Sequence, residues 1–314
     1  MEQRYGVAIV GPGGIGGLVG GVLARAGHPV TFVARPESAA RLNSDGLSVR
    51  SAVFGDFHVA VRAVTRLDER VDVCVLTVKA TSLRQALAGV PLSALADGLV
   101  LPLLNGVEHL AGLRDRFPPA QVVAGAIRVE STRVGPGRIE HTSPFCRIDV
   151  GSETAPRERV EALAAQLSRA GLDTRVRDDE ANLLWDKLAF LAPMALLTTH
   201  DGAPAGVVRT RRRADLEAVI GEVAAVARSA GAQADPVAIL AMVDAVPEGM
   251  KSSMQRDAEA GRPIELDAIG GVVLRTARRH GVEAPVTARL VEDLRVRADQ
   301  PPIPQQSRAN RIER

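Results

Sequence analysis

Aromatic residues make up only 3% of this 314-residue chain, with one tryptophan, one tyrosine and six phenylalanines. Its core must therefore be built from alanine, valine and leucine. Cysteine is nearly absent. The two present, Cys74 and Cys146, lie in apolar strand-like runs and read as small buried residues. So few give neither a disulfide framework nor metal-ligand spacing, and no metal is expected. Long apolar runs are missing too: the longest, Leu188 to Leu197, is interrupted by Pro193 and falls short of the ~20 residues that span a bilayer. The sequence enters its first apolar run directly, so no secretory leader is expected. Charge of one sign is also lacking, since 39 basic residues face 37 acidic ones for a net +2. No basic face is interleaved with aromatics, which argues against a nucleic-acid partner. These absences describe a cytoplasmic globular protein without a membrane partner. Its length suffices for two domains with full cores.

What is abundant is glycine, and it is concentrated at the start. Val7 to Val10 reads as a short strand, followed by the turn Gly11-Pro12-Gly13-Gly14-Ile15-Gly16-Gly17 and a small-residue helix ending near Gly27. A second strand, Val30 to Ala34, stops at Arg35. The glycine pattern thus sits after a strand and opens a helix within a βαβ unit, the context its mechanism requires. Gly11 permits the tight turn, Gly13 lets the backbone approach a pyrophosphate, and Gly16 lets helix and strand pack closely. The helix start, at Gly14 and Ile15, offers N–H groups and a positive dipole end to phosphates. The end of the second strand selects the dinucleotide. An acidic residue there would hold a ribose 2′-hydroxyl; Arg35 suits a 2′-phosphate instead. NADP (NADPH/NADP+) is the expected cofactor, Glu37 being assigned to the first turn of the next helix. The competing reading of Arg35 is a solvated surface arginine.

Further along, a helix is expected near Pro36–Ser44, then a hairpin of Leu47–Arg50 with His58–Val64. Val71 to Val78 is a near-continuous apolar run, as in a strand buried on both faces, and Lys79 stands at its end. A helix at Thr81–Leu87 and a strand from Leu99 lead to Asn105-Gly106. A strand at Val122–Ile127, hairpin-like segments through Ile148, the helix Arg157–Ala170 and the strand Thr174–Val176 complete this part. Gly11, Arg35, Lys79 and Asn105 all fall at carboxyl ends of strands, where open α/β sheets bind ligands. The expected fold class is α/β: a Rossmann-type doubly wound sheet over 1–177, then an all-α domain over 178–299. Helices are expected at Asp179–Leu191, Arg211–Ala230, Pro236–Val246, Ser252–Ala260, Leu266–His280 and Ala288–Ala298. Residues 300–314 read as a disordered tail. Small-residue helical faces would allow a homodimer, although no feature demands one. The run Arg209 to Arg213 reads as a solvated helix start.

Lysine is scarce: Lys79, Lys187 and Lys251 stand against 36 arginines. Such a composition leaves lysine where a compact ammonium able to give up its proton is useful. Lys187 lies in Leu184-Trp185-Asp186-Lys187-Leu188, and Lys251 adjoins Ser252-Ser253-Met254.

In order along the chain, the glycine turn, Arg35, Thr77-Val78-Lys79-Ala80, Leu104-Asn105-Gly106, the Lys187 segment and Ser252-Ser253-Met254 with Glu265-Leu266-Asp267 resemble the motifs of ketopantoate reductases. The resemblance covers about Val7 to Val296. It implies NADPH-dependent reduction of 2-dehydropantoate to pantoate, on the route to pantothenate and coenzyme A. It also implies a Rossmann domain and a helical domain like the C-terminal domain of 6-phosphogluconate dehydrogenase. By that resemblance Lys187 is the proton donor. Asn105 and Lys79 face the nicotinamide end of the cofactor and the substrate, and Ser253 binds substrate. Glu265 lies near the cofactor and the reacting centre, and Glu130 near a further cofactor contact. The residue chemistry agrees: hydride reaching a ketone carbon leaves charge on oxygen, which a lysine ammonium can stabilise and protonate. The bland alternatives are a snorkelling helix lysine for Lys187, helix-dipole complementarity for Glu265 and a helix cap for Ser253.

The chain departs from the family at three substrate-binding positions. Asparagines expected one and two turns after the lysine, on the same helix face, are Leu191 and Ala195 here. A third, in a Pro-Asn-Gly turn, is Ala205. Thr198, Thr199 and His200 are the candidates to replace them, and Pro193 is expected to kink this helix. Three functions follow: reduction of 2-dehydropantoate, reduction of a less polar 2-keto acid or imine, or NADP binding without catalysis in a regulator.

Overall fold

The computed structural model describes residues 4–299; the tail expected at 300–314 lies outside them. The first strands come in two registers of burial. In β1 (Val7–Val10), β2 (Val30–Val33), β6 (Val73–Leu76) and β7 (Leu99–Pro102) every residue is buried. Alternation explains how both faces use them. Val7, Ile9, Val73, Val75, Leu99 and Leu101 enter one core, while Ala8, Val10, Cys74, Leu76 and Val100 enter another. Successive side chains point to opposite faces, so a strand covered on both sides must be apolar throughout.

These strands and β5 (Arg62–Val64) form an all-parallel sheet in the order β5-β2-β1-β6-β7. The chain runs outward from β1 to β2 and then returns to β6 on its other side, making β1 the switch point. Helices α1 (Gly14–Arg25), α2 (Pro36–Asp45), α3 (Leu83–Leu87), α4 (Leu92–Leu95) and α5 (His109–Arg116) follow or connect these strands. A second sheet has the order β4-β3-β10-β9, from β3 (Leu47–Ser51), β4 (Phe57–Val59), β9 (Ser131–Gly135) and β10 (Arg138–His141). A third, β12-β11-β8, joins β8 (Ala124–Arg128), β11 (Arg147–Gly151) and β12 (Asp173–Val176), with α6 (Arg157–Arg169) between the last two.

The expected hairpin after Gly46 is half correct. Phe57–Val59 pairs antiparallel with β3, but Arg62–Val64 leaves for the parallel sheet. Ala63 is buried there, and the Asn43 side chain bonds both its N–H and its carbonyl at 2.8 Å; at the surface Arg62 meets Asp68 at 2.9 Å and Glu69 at 2.6 Å, and Glu69 accepts from Thr31 of β2. No local pattern shows those partners.

Beyond β12 the described chain is helical: α7 (Glu180–Asp201), α8 (Ala205–Arg211), α9 (Arg213–Ser229), α10 (Pro236–Ala245), α11 (Ser253–Glu259), a π-helical turn (Asp267–Gly271), α12 (Val272–His280) and α13 (Pro285–Asp299). The helix expected to end at Leu191 runs on to Asp201, continuous through Pro193. Burial of Ala192 to Thr199 outweighs the backbone hydrogen bond that a proline removes. The short α8 has no counterpart in the sequence reading. The helix expected from Leu266 opens instead as the π turn, an irregularity common near functional sites.

Two compact units result. One comprises the chain up to Ala189 with Ala227–Ala234, and the other Phe190–Val226 with the chain from Asp235 onward. The division runs through α7, whereas the loss of strand signal sets a boundary at 177/178. In the second unit Glu222 accepts from the N–H groups of Val286 and Thr287 at 2.8 Å and from the Thr287 hydroxyl at 2.7 Å. A carboxylate from α9 thus caps α13. The arginine run is solvated only in part: Arg211 is exposed, but Arg209 donates to the carbonyls of Asp244 and Val246, and Arg212 pairs with Asp201. Among the described residues no helix is long and apolar enough to cross a membrane.

Candidate active site

Parallel strands place all their carboxyl ends at one edge of the sheet. Gly11 follows β1, Arg35 follows β2, Lys79 follows β6, and Asn105 follows β7. Gly11 has φ 96°, a left-handed conformation that favours glycine. It is held by Thr77, whose hydroxyl lies 2.9 Å from the Val10 carbonyl and 2.8 Å from that of Gly11. The sequence reading treated Thr77 only as part of a motif; its clasp on the turn depends on β1 and β6 being neighbours.

Helix α1 starts with no side-chain cap and no acidic residue in its first turn. Its first free N–H groups, at Gly14, Ile15 and Gly16, belong to a helix end that normally needs a partner. A Cβ placed on Gly13 would meet nothing within 4 Å, so open space lies beside that helix end. These residues fit a dinucleotide pyrophosphate. Ser131 closes the other side, its hydroxyl donating to the Gly14 carbonyl at 2.9 Å. Glu130 is thereby carried next to the turn, its N–H donating to Ser143 Oγ at 2.9 Å. Ser131 was not legible in the sequence, since 117 residues separate it from Gly14.

Arg35 is exposed and serves as the N-cap residue of α2, with Pro36 opening that helix and Glu37 in its first turn. Glu37 thus stands where helix-dipole complementarity places an acid. Lys79 and Asn105 are half-buried, and Gly106 follows with φ 85°.

Lys187 lies in the part of α7 that belongs to the first unit, half-buried, and its ammonium donates to the Leu104 carbonyl at 3.3 Å. It therefore stands beside the Asn105 segment at the strand ends. The helix is fixed there by Glu180, which takes a bidentate pair from Arg114 of α5 at 2.8 and 2.5 Å, and by Asp186, which meets Arg177 at 3.0 Å. His109, the first residue of α5, feels the positive charge of Lys187. No motif in the sequence points to it.

The second unit holds the remaining candidates. Ser252 caps α11, accepting from Gln255 N–H at 3.0 Å, and its hydroxyl is 2.9 Å from that of Thr198. The cap considered for Ser253 falls one residue earlier, and Ser253 itself is exposed. Glu265 is buried and immediately precedes the π turn and its flanking Leu266. Leu191 is half-buried, while Ala195 and Ala205 have no exposed surface. Of the residues considered as replacements for asparagine, Thr198 is engaged with Met194 and Ser252, and His200 with Asp201 and Asp293. Thr199 Oγ1 is buried without a hydrogen-bond partner among the described residues. Lys251 makes an ion pair with Glu259 at 2.9 Å.

Comparison with known proteins accounts for this arrangement. Residues 7–153 match the family model for ketopantoate reductase PanE/ApbA, and residues 181–298 match its C-terminal model. The oxidoreductase YkpB of Bacillus subtilis, itself uncharacterised, is 30% identical over 295 residues, covering 92% of this chain and 97% of YkpB. A 2-dehydropantoate 2-reductase of Mycobacterium tuberculosis is 30% identical over 303 residues, covering 94% and 99%. The crystal structure of 2-dehydropantoate 2-reductase from Geobacter metallireducens superposes with a TM-score of 0.84 at 28% identity, covering 93% of this chain and 99% of that one. Motifs, sheet order and matched length agree from the first strand to the last helix, and the chain belongs to the ketopantoate reductase family of oxidoreductases.

Proposed function

We propose that this protein reduces a 2-keto acid to the 2-hydroxy acid with NADPH, that its substrate is 2-dehydropantoate, and that Lys187 is the proton donor. The observation that carries the reading is the Lys187 ammonium held on the Leu104 carbonyl, next to Asn105 at the ligand-binding edge of the sheet. NADPH supplies the hydride. The ammonium draws in the substrate carboxylate, stabilises charge developing on the keto oxygen and passes a proton to it. The amine then regains a proton from solvent. Lys79 and Asn105 orient the nicotinamide end, and Arg35 receives the 2′-phosphate. Glu265 and Ser253 are assigned to the reacting centre and the substrate by family correspondence.

Arg35→Ala is expected to weaken NADPH binding by roughly 1.5–3 kcal/mol, the scale of a charged hydrogen bond, or about 10–100-fold. NADH binding should hardly change. Titration of nicotinamide fluorescence with both cofactors checks this, and an equal loss for both would remove Arg35 from phosphate recognition.

A second reading keeps the chemistry and changes the substrate. Leu191, Ala195 and Ala205 bring no amide to positions where the family has asparagine, and a buried partner lost costs about 1–3 kcal/mol. Thr199, one further turn along that face with an unpartnered hydroxyl, is the group we set against the loss. NADPH oxidation measured with 2-dehydropantoate beside a panel of small, branched and aromatic 2-keto acids decides the matter. Saturable turnover of 2-dehydropantoate supports the first reading; turnover confined to less polar acids supports the second. Activity on any of them would dismiss a purely regulatory NADP-binding role.

A further inference from the structure

The imidazole of His109 is the group in the first unit whose position the reaction above does not explain. Both ring nitrogens are shielded from solvent, and neither has a hydrogen-bond partner among the described residues. A neutral imidazole carries one donor and one acceptor. Leaving both buried and unmade is costly, and native folds keep such a group where it has work to do. The ring opens α5, four residues beyond Asn105 and five beyond the Leu104 carbonyl that receives the Lys187 ammonium. Burial first, and the charge of Lys187 second, push its pKa down to about 4. The ring is therefore neutral at neutral pH.

Among the charged groups on the surrounding elements, Arg116 of α5 donates to the carbonyls of Leu87 and Val90. On α5, Glu108 and Asp115 are exposed, and Arg114 is paired with Glu180 of α7. On α7, Asp186 is paired with Arg177. Lys79 stands at the end of β6. Lys187 is the one whose charge acts on the ring.

We propose that His109 is a positioning residue for Lys187: its neutral ring offers the ammonium an acceptor as Lys187 turns from Leu104 towards the reacting carbonyl. This rests on the reading of Lys187 as proton donor. The physical requirement is narrow. A carboxylate at this place would pair with the ammonium and hold its proton too firmly, whereas an apolar side chain would leave a desolvated ammonium that gives up its proton too early. A neutral acceptor lies between, and the flexible lysine stem with its three donors can use it without leaving the substrate.

The test compares the pH dependence of kcat in wild type, His109→Leu, His109→Gln and Lys187→Ala. The substrate is 2-dehydropantoate or, where the panel ranks it higher, the preferred keto acid. His109→Leu should lower kcat about tenfold and move the alkaline limb about one pH unit lower. KM for NADPH should stay within about twofold. His109→Gln, which retains an acceptor, should restore most of both. A His109→Leu enzyme with the wild-type limb overturns the proposal, as does a His109→Gln enzyme equally impaired at unchanged melting temperature. In Lys187→Ala the limb should vanish. If it survives there, the reading of Lys187 fails; if it vanishes there yet stays unmoved in His109→Leu, the role of His109 alone fails.

Discussion

Lys187→Ala should lower kcat by about 10²–10⁴-fold, the range of a positioned general acid, while NADPH still binds. The expectation follows from where the side chain is anchored. The Lys187 ammonium reaches the Leu104 carbonyl at 3.3 Å, whereas α7 itself is secured nearby by the buried Arg114–Glu180 pair. Removing the ammonium therefore leaves the helix in place and deletes charge stabilisation at the keto oxygen. KM for the keto acid should rise as well, because the ammonium also attracts the carboxylate. Single-turnover measurement of NADPH oxidation, with separate fluorescence titration of the cofactor, separates these effects. An unchanged kcat would take Lys187 out of the chemistry.

The second large effect concerns two glycines that are close in sequence and different in role. A Cβ on Gly16 would sit 2.2 Å from the Gly11 carbonyl and 2.3 Å from Thr77 Oγ1, so Gly16→Ala must push backbone against backbone or break the Thr77 clasp. Overpacking of this kind costs about 1–3 kcal/mol or more, which for a chain of this size means a melting temperature lower by several degrees, roughly 2–4 °C per kcal/mol. Gly13→Ala should behave in the opposite way. Its methyl meets no protein atom within 4 Å, so the melting temperature of the free protein should hold, while the methyl occupies space needed by the pyrophosphate and weakens NADPH. Thermal unfolding with and without NADPH reads both variants. A Gly13→Ala protein whose NADPH affinity and NADPH-induced stabilisation are intact would place the phosphates elsewhere.

Much of this was legible because the relevant signals are local. The strand, glycine turn and helix at the start, the apolar run at Val73 and the polar residue after each strand obey short-range rules, and a parallel sheet converts those rules into one shared edge. What the sequence hid depends on distant partners. Buried Ala63, bonded on both backbone groups by Asn43 twenty residues away, keeps its strand in the parallel sheet. Thr77 and Ser131 hold the glycine turn from far along the chain. The helix expected to end at Leu191 continues past Pro193, because burial along Ala192 to Thr199 carries α7 on. Lysine scarcity points to Lys187, but the same argument applies to Lys251, which sits in an ordinary ion pair with Glu259. His109 gave no signal at all, because an unsatisfied ring is a property of its surroundings and not of its spacing.

The two cysteines, introduced as a scarcity, acquire a practical meaning from their burial. Cys74 lies within β6 and Cys146 just before β11, both free, and burial pushes each thiol up to about 12. Thiolate is the reactive form, so the folded first unit is inert to alkylating agents and mild oxidants. Both thiols belong to that unit. A thiol-reactive dye consequently acts as a clock for opening of the nucleotide-binding half alone, with the helical half silent, and the slowing of that clock by NADPH would weigh the cofactor's grip without any turnover.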